Sequence, residues 1–275
     1  MNFETAAGSV SGREHRRLGK NSHDAYVIHQ DQQKIITVVC DGCGSSDSSE
    51  VGSKIGSKLI VHIIKELLEK TSLINSPDIF FERVRQDTLA QIRIMANSMG
   101  DDLRQTILDH FLFTVVGLVV TEEKTIIFSI GDGLYVINEQ IECLGPFPEN
   151  EPPYLAYAII KSAIKADMLD SLHFKINLEI STRNLRSCLI ATDGINDLIA
   201  VSEKNIPGKD EIVGNLSQFW LEDRYFSNKD MVRRQLLLVS RKHITLNVEK
   251  PSLIKSVGHL SDDTTLVVIR RKEGG

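Results

Sequence analysis

Apolar runs rich in β-branched residues recur at residues 25–29, 34–39, 113–120, 125–130, 134–137, 187–191 and 265–269. Runs of that length and composition predict strands. Between the second and third runs, Val51, Ile55, Leu59, Ile63 and Leu67 repeat at helical spacing, and Ile92, Met95 and Met99 follow the same rule. This predicts two helices, the second opening near Pro77 and Asp78. Two more helical regions are predicted over 210–221 and over 230–242, the latter with Val232, Leu236 and Val239 on one face. Strands thus come in clusters separated by pairs of helices. That grouping predicts antiparallel sheets covered by helices and disfavours a regular alternation of strand and helix. Gly52 and Gly56, four apart on the first predicted helix, predict close helix packing.

Composition narrows the function classes. The 275 residues include 32 Lys plus Arg and 37 Asp plus Glu, a net charge of −5. The one basic cluster, residues 13–20, carries no interleaved aromatics, so nucleic-acid binding is not expected. No segment approaches the roughly 18 consecutive apolar residues of a membrane span. Residues 1–10 hold no basic stretch followed by an apolar run, so a secretory leader is not expected and the cytoplasm is the expected compartment. Cys40 and Cys43 form a Cys-x-x-Cys, but Cys143 and Cys188 stand alone, which disfavours zinc and a disulfide framework alike. With no repeat and no linker, one domain over 1–275 is expected, acting as a monomer. The proline-rich stretch GPFPENEPP at 145–153 predicts an irregular loop, and residues 145–170, with Tyr154, Leu155 and Tyr157, are expected to form a flap.

The informative pattern is where aspartate falls. Asp41 closes IITVVC and precedes Gly42; Asp132 lies between Gly131 and Gly133 after TIIFSI; Asp193 follows SCLIAT and precedes Gly194. Asp262 and Asp263 stand directly before TTLVVI, and Asp24 directly before AYVI. Asp beside Gly is ordinary turn chemistry, and any single instance is more often a turn than a ligand. Five instances at strand ends are harder to dismiss, because the start of one antiparallel strand and the end of its neighbour share an edge. Carboxylates gathered there repel one another unless cations sit between them. Oxygen ligands select hard cations, Mg²⁺ or Mn²⁺ rather than zinc, and the glycine after Asp41 lets a backbone carbonyl join them.

The stretches NSHDAY, VVCDGCG, FTVVGLVV, FSIGDG, ATDGIND and SDDTTLVV occur in an order that resembles the metal-dependent serine/threonine protein phosphatases of the 2C type, in a bacterial form. The resemblance implies an α+β fold, a four-layer α-β-β-α sandwich of two antiparallel sheets flanked by helices. It also implies phosphorylated protein substrates and two Mn²⁺ or Mg²⁺ ions, with a third, weaker position. In its terms Asp41 bridges two ions, the Gly42 carbonyl joins one, Asp193 and Asp262 complete the second, Asp132 serves the third position, and Asp24 is the acid of the first motif. The family's reaction uses a water between two ions, made acidic enough to attack phosphorus near neutral pH.

Two positions depart from the pattern. Gly19 stands where many members carry a phosphate-holding arginine, so His15 and Lys20 are the expected substitutes, with Arg13 or Arg16 as alternatives. His23 stands where Glu or Gln is usual; it is expected to donate a proton to the leaving alkoxide or to hydrogen-bond a metal-held water. These departures keep a second class in view, a pseudophosphatase that binds phosphoproteins or regulates a partner without hydrolysis.

Overall fold

The stretch FTVVGLVV is buried at every position, and a strand apolar on both faces needs cover on both. The computed structural model supplies it, describing residues 1–71, 74–160, 170–247 and 252–272. In chain order the elements are β1 (Phe3–Val10), α1 (Arg13–Leu18), β2 (Ala25–Gln30), β3 (Ile35–Gly42), α2 (Ser49–Thr71), α3 (Pro77–Met99), α4 (Leu103–His110), β4 (Phe113–Val120), β5 (Lys124–Ile130), β6 (Gly133–Ile137) and β7 (Gln140–Leu144). They continue as β8 (Lys175–Ser181), β9 (Ser187–Ala191), α5 (Ile195–Ala200), α6 (Gln218–Leu221), α7 (Arg224–Ser227), α8 (Met231–Ser240), β10 (His243–Asn247), β11 (Ser252–Ser256) and β12 (Thr264–Arg271).

Two five-stranded antiparallel sheets result, in the orders β1-β12-β9-β6-β7 and β2-β3-β4-β5-β8, with β10 and β11 as a separate ribbon. Three apolar clusters separate four layers. Val39, Val116 and Leu118 of one sheet meet Ile190, Val267 and Ile269 of the other in the middle. Ile60, Ile64 and Phe81 from α2 and α3 cover the outer face of the β3-β4 sheet, and Leu198, Val232 and Leu236 from α5 and α8 cover the other. This is the expected α-β-β-α sandwich. Among the described residues no helix is long and apolar enough to cross a membrane.

All seven predicted strands are present. The helix expected over 210–221 is not; only Gln218–Leu221 is helical. Gly214 takes a left-handed φ of +85°, and the Val213 amide donates to the Lys204 carbonyl outside any helix. Two helices were expected between β3 and β4, and α4 adds a third. The close packing expected of Gly52 is against the end of another helix, α4, whereas Gly56 packs against strand β4. A Cβ on Gly52 would enter the shell of the His110 carbonyl oxygen, and one on Gly56 would strike the Phe113 ring. In the expected flap, 145–160 is described and 161–169 lies outside the described residues; Tyr154 and Leu155 are buried in the core beside α3.

Candidate active site

Register brings the acids together. Ala25 pairs with Cys40, so Asp24 at the start of β2 and Asp41 at the end of β3 emerge side by side. Leu134 and Leu266 both pair with Ala191, so the residues before β6, before β12 and after β9 share the edge of the other sheet. Asp132 connects the two sheets between β5 and β6. Its flanking glycines have φ of +84° and +139°, conformations that β-carbons strongly disfavour.

The two edges enclose a cavity of about 170 Å³ whose wall includes His15, Asp41, Gly42, Asp132, Asp193 and Asp262. Pro152 and Tyr154 close one side. Asp24 lies behind the wall, 3% exposed, its Oδ2 accepting from the Thr192 hydroxyl at 2.7 Å. Lys20 is exposed on the loop after α1 and is not part of the wall. His23 is buried behind His15, the ring centroids 4.2 Å apart, and meets the Ser49 hydroxyl through Nδ1 at 3.1 Å. Burial holds its pKa below the ordinary histidine value. The arginine alternatives are engaged elsewhere: Arg16 with Ser240 and Arg13 with Glu14.

The electrostatics are those of crowded acids. Burial, then the charges of Asp24, Asp193 and Asp262, pushes the Asp41 carboxyl well up. Burial and Asp263 push Asp24 up in the same direction. Burial and Asp193 push Asp262 up, and Asp132 up to about 6. Oδ1 of Asp24 and of Asp193 are buried with no donor, each within reach of Asp41, itself an acceptor unless protonated. A cation relieves acceptor facing acceptor as a proton does. Among the described residues no three His, Cys, Asp or Glu groups close around one point as a finished metal cage. The donor set nevertheless fits a hard divalent cation: four carboxylates, those of Asp41, Asp132, Asp193 and Asp262, stand on the wall beside His15 and Cys43, and Oδ1 of Asp193 on the wall and of Asp24 behind it lack partners. A Cβ on Gly42 would lie 2.8 Å from the Ser49 Oγ, so only glycine fits there.

Sequence reasoning passed over three contributors. The sequence presents Asp263 only as half of an acid pair, yet it is 2% exposed and accepts three hydrogen bonds. Thr192 ties β9 to Asp24. Asp197 accepts from the Ser261 amide at 2.6 Å and so shapes the loop that carries Asp262. The doublet Asp262-Asp263 held a usable signal, because adjacent residues entering a strand point to opposite faces.

Fold and site define a class: a helix-flanked double sheet whose acidic strand ends meet in one cavity. The family profile described as Protein phosphatase 2C matches residues 11–228, and the chain belongs to that family. Among solved structures it resembles a bacterial serine phosphatase at 17% identity, with 99% of each chain covered and a TM-score of 0.58. It also resembles the serine/threonine phosphatase Stp1 from Staphylococcus aureus, at 16% identity with 100% of this chain and 96% of that one covered and a TM-score of 0.53. A third is the catalytic domain of the serine threonine protein phosphatase PstP in complex with 2 manganese ions, at 12% identity, coverage of 98% and 97%, and a TM-score of 0.51. These likenesses show the fold. No curated protein matches the chain by sequence.

Proposed function

We propose that this chain hydrolyses phosphoserine and phosphothreonine in phosphorylated proteins, using Mn²⁺ or Mg²⁺. The observation that carries the reading is the shared cavity, walled by Asp41, Asp132, Asp193 and Asp262 from strand ends of both sheets. Asp41, Asp193, Asp262 and the Gly42 carbonyl would hold two ions, with Asp132 at a third, weaker position. Bound cations supply the charge that acidifies an attacking water and offsets the phosphate's negative charge. Asp24 stands behind Asp41, and Thr192 keeps its carboxyl in place.

His15 is the group on the wall suited to the phosphoryl oxygens or the leaving alkoxide. Its Nδ1 is engaged by Asp263 at 2.8 Å, so Nε2 is the ring nitrogen left for substrate. His23 supports His15 from behind, and Lys20, on the exposed loop beside them, meets the substrate outside the cavity.

Release of phosphate from p-nitrophenyl phosphate and from a phosphothreonine peptide tests the reading; turnover with manganese and none with EDTA is expected. Silence in every divalent metal sinks it. Gly19 in place of an arginine favours the second reading, a phosphoprotein-binding module without hydrolysis. Calorimetric titration separates the two, since the enzyme binds Mn²⁺ in the micromolar to millimolar range and the module does not.

A further inference from the structure

We propose that Asp263 is a positioning residue that holds His15 in place on the wall of the catalytic cavity. The inference rests on the phosphatase reading for its consequence and on the contacts of Asp263 for its substance. Oδ1 accepts from the Gly12 amide at 2.7 Å; Oδ2 accepts from the His23 amide at 2.6 Å and meets the His15 Nδ1 at 2.8 Å. One buried carboxyl at the start of β12 therefore grips the segment before α1, the helix itself, and the segment after it.

Other contacts brace the same segment. The Arg13 amide donates to the Leu260 carbonyl at 3.2 Å, the Arg16 guanidinium donates to Ser240, and a Cβ on Gly12 would overlap the backbone of Asp262. None of these touches the His15 ring. The ring is held by Asp263 on one side and by the face of His23, tilted at 41°, on the other.

The chemistry of the contact explains why an acid stands here. Gly12, His23 and His15 present three donors and no acceptor, and a carboxylate accepts through both oxygens. An asparagine offers one acceptor oxygen and must turn its NH₂ toward at least one donor. With both oxygens committed to these donors, Asp263 is separated in role from Asp262, which lines the cavity. Fixing Nδ1–H on the Asp263 side leaves Nε2 as the working nitrogen, so the contact sets ring orientation and tautomer together.

The test uses the full chain. In the manganese-loaded protein, Asp263→Asn and His15→Gln each lower kcat/KM on a phosphothreonine peptide by about 10- to 100-fold. The double variant falls no further than about threefold below the weaker single, because both changes remove one unit. Losses that multiply overturn the proposal, as does normal kcat/KM in His15→Gln. In the metal-free protein, imidazole nitrogen NMR shows a slowly exchanging His15 Nδ1 proton that Asp263→Asn abolishes while the backbone amide spectrum stays that of a folded chain. A proton unchanged in Asp263→Asn, or absent from the wild type, overturns the proposal even if the variant fails to fold. A wild type without turnover sinks the phosphatase reading and leaves the NMR result to decide on Asp263.

Discussion

The Thr192 hydroxyl donates to Asp24 Oδ2 at 2.7 Å and accepts from the Thr265 amide at 3.1 Å. Thr192 follows β9 in one sheet and Asp24 precedes β2 in the other, so a side chain of three heavy atoms joins the two sheets beneath the cavity. Replacing Thr192 with Val keeps the shape and removes a donor to the buried Asp24 carboxyl and the acceptor of the Thr265 amide. Such losses cost about 1–3 kcal/mol. Urea unfolding is expected to show that loss in Thr192→Val and much less in Thr192→Ser; equal midpoints for Val and wild type contradict it.

Asp41 gathers the most repulsion, from Asp24, Asp193 and Asp262 in addition to burial. Asp41→Asn removes a charge that the metal-free fold tolerates poorly and that the reaction needs. The metal-free variant is expected to be more stable than wild type near pH 8, while turnover with saturating manganese falls by more than about 100-fold. Ordinary turnover in that variant removes Asp41 from the ion-holding set.

Asp132 supplies a pH signature. Its carboxyl is pushed up to about 6, first by burial and then by Asp193. A carboxyl harder to ionise folded than unfolded contributes stability that is complete below the ordinary Asp value and is lost as pH rises through the folded one. The shift amounts to roughly 2–3 kcal/mol. In the absence of metal, Asp132→Asn should therefore gain about that much on wild type between pH 4 and pH 8. A difference that stays flat with pH shows that Asp132 ionises as freely folded as unfolded.

Gly52 on α2 meets the His110 carbonyl and the Phe111 Cα with no room for a methyl group. Gly52→Ala raises helix propensity by under about 1 kcal/mol, and overpacking costs about 1–3 kcal/mol. Net destabilisation is expected, read as a lower urea midpoint with the m-value unchanged. A stabilised variant means that α2 moves away from α4 at little cost.

Most strands legible in the sequence are buried on both faces, such as β4, or closed by an Asp-Gly pair, such as β3; β2, a half-exposed edge strand, was legible from its run AYVI alone. Those that escaped notice are edge or ribbon strands. β7 is exposed along most of QIECL and β8 mixes charge with apolar residues in KINLEIS, so neither carries a continuous apolar signal. Over 210–221 the residues have helical spacing, but Gly214 and the pairing of Val213 with Lys204 override it. At the site, Asp41, Asp132, Asp193 and Asp262 were readable because each sits where a strand meets a turn. The roles of Asp263 and Thr192 were not, because their partners lie 240 or more and 168 positions away along the chain.

By itself the sequence determined the seven apolar strands and the helices α2, α3 and α8, that such elements belong to helix-covered antiparallel sheets, and which acids stand at strand ends. Those properties follow from side-chain period and turn chemistry, which act between near neighbours. Only the tertiary structure decided which acids face the cavity, that His15 rather than Lys20 or His23 stands on its wall, and that Asp263 turns away to hold it. Facing depends on strand register and on how one sheet lies over the other, and both are settled by burying apolar surface between segments far apart in the chain.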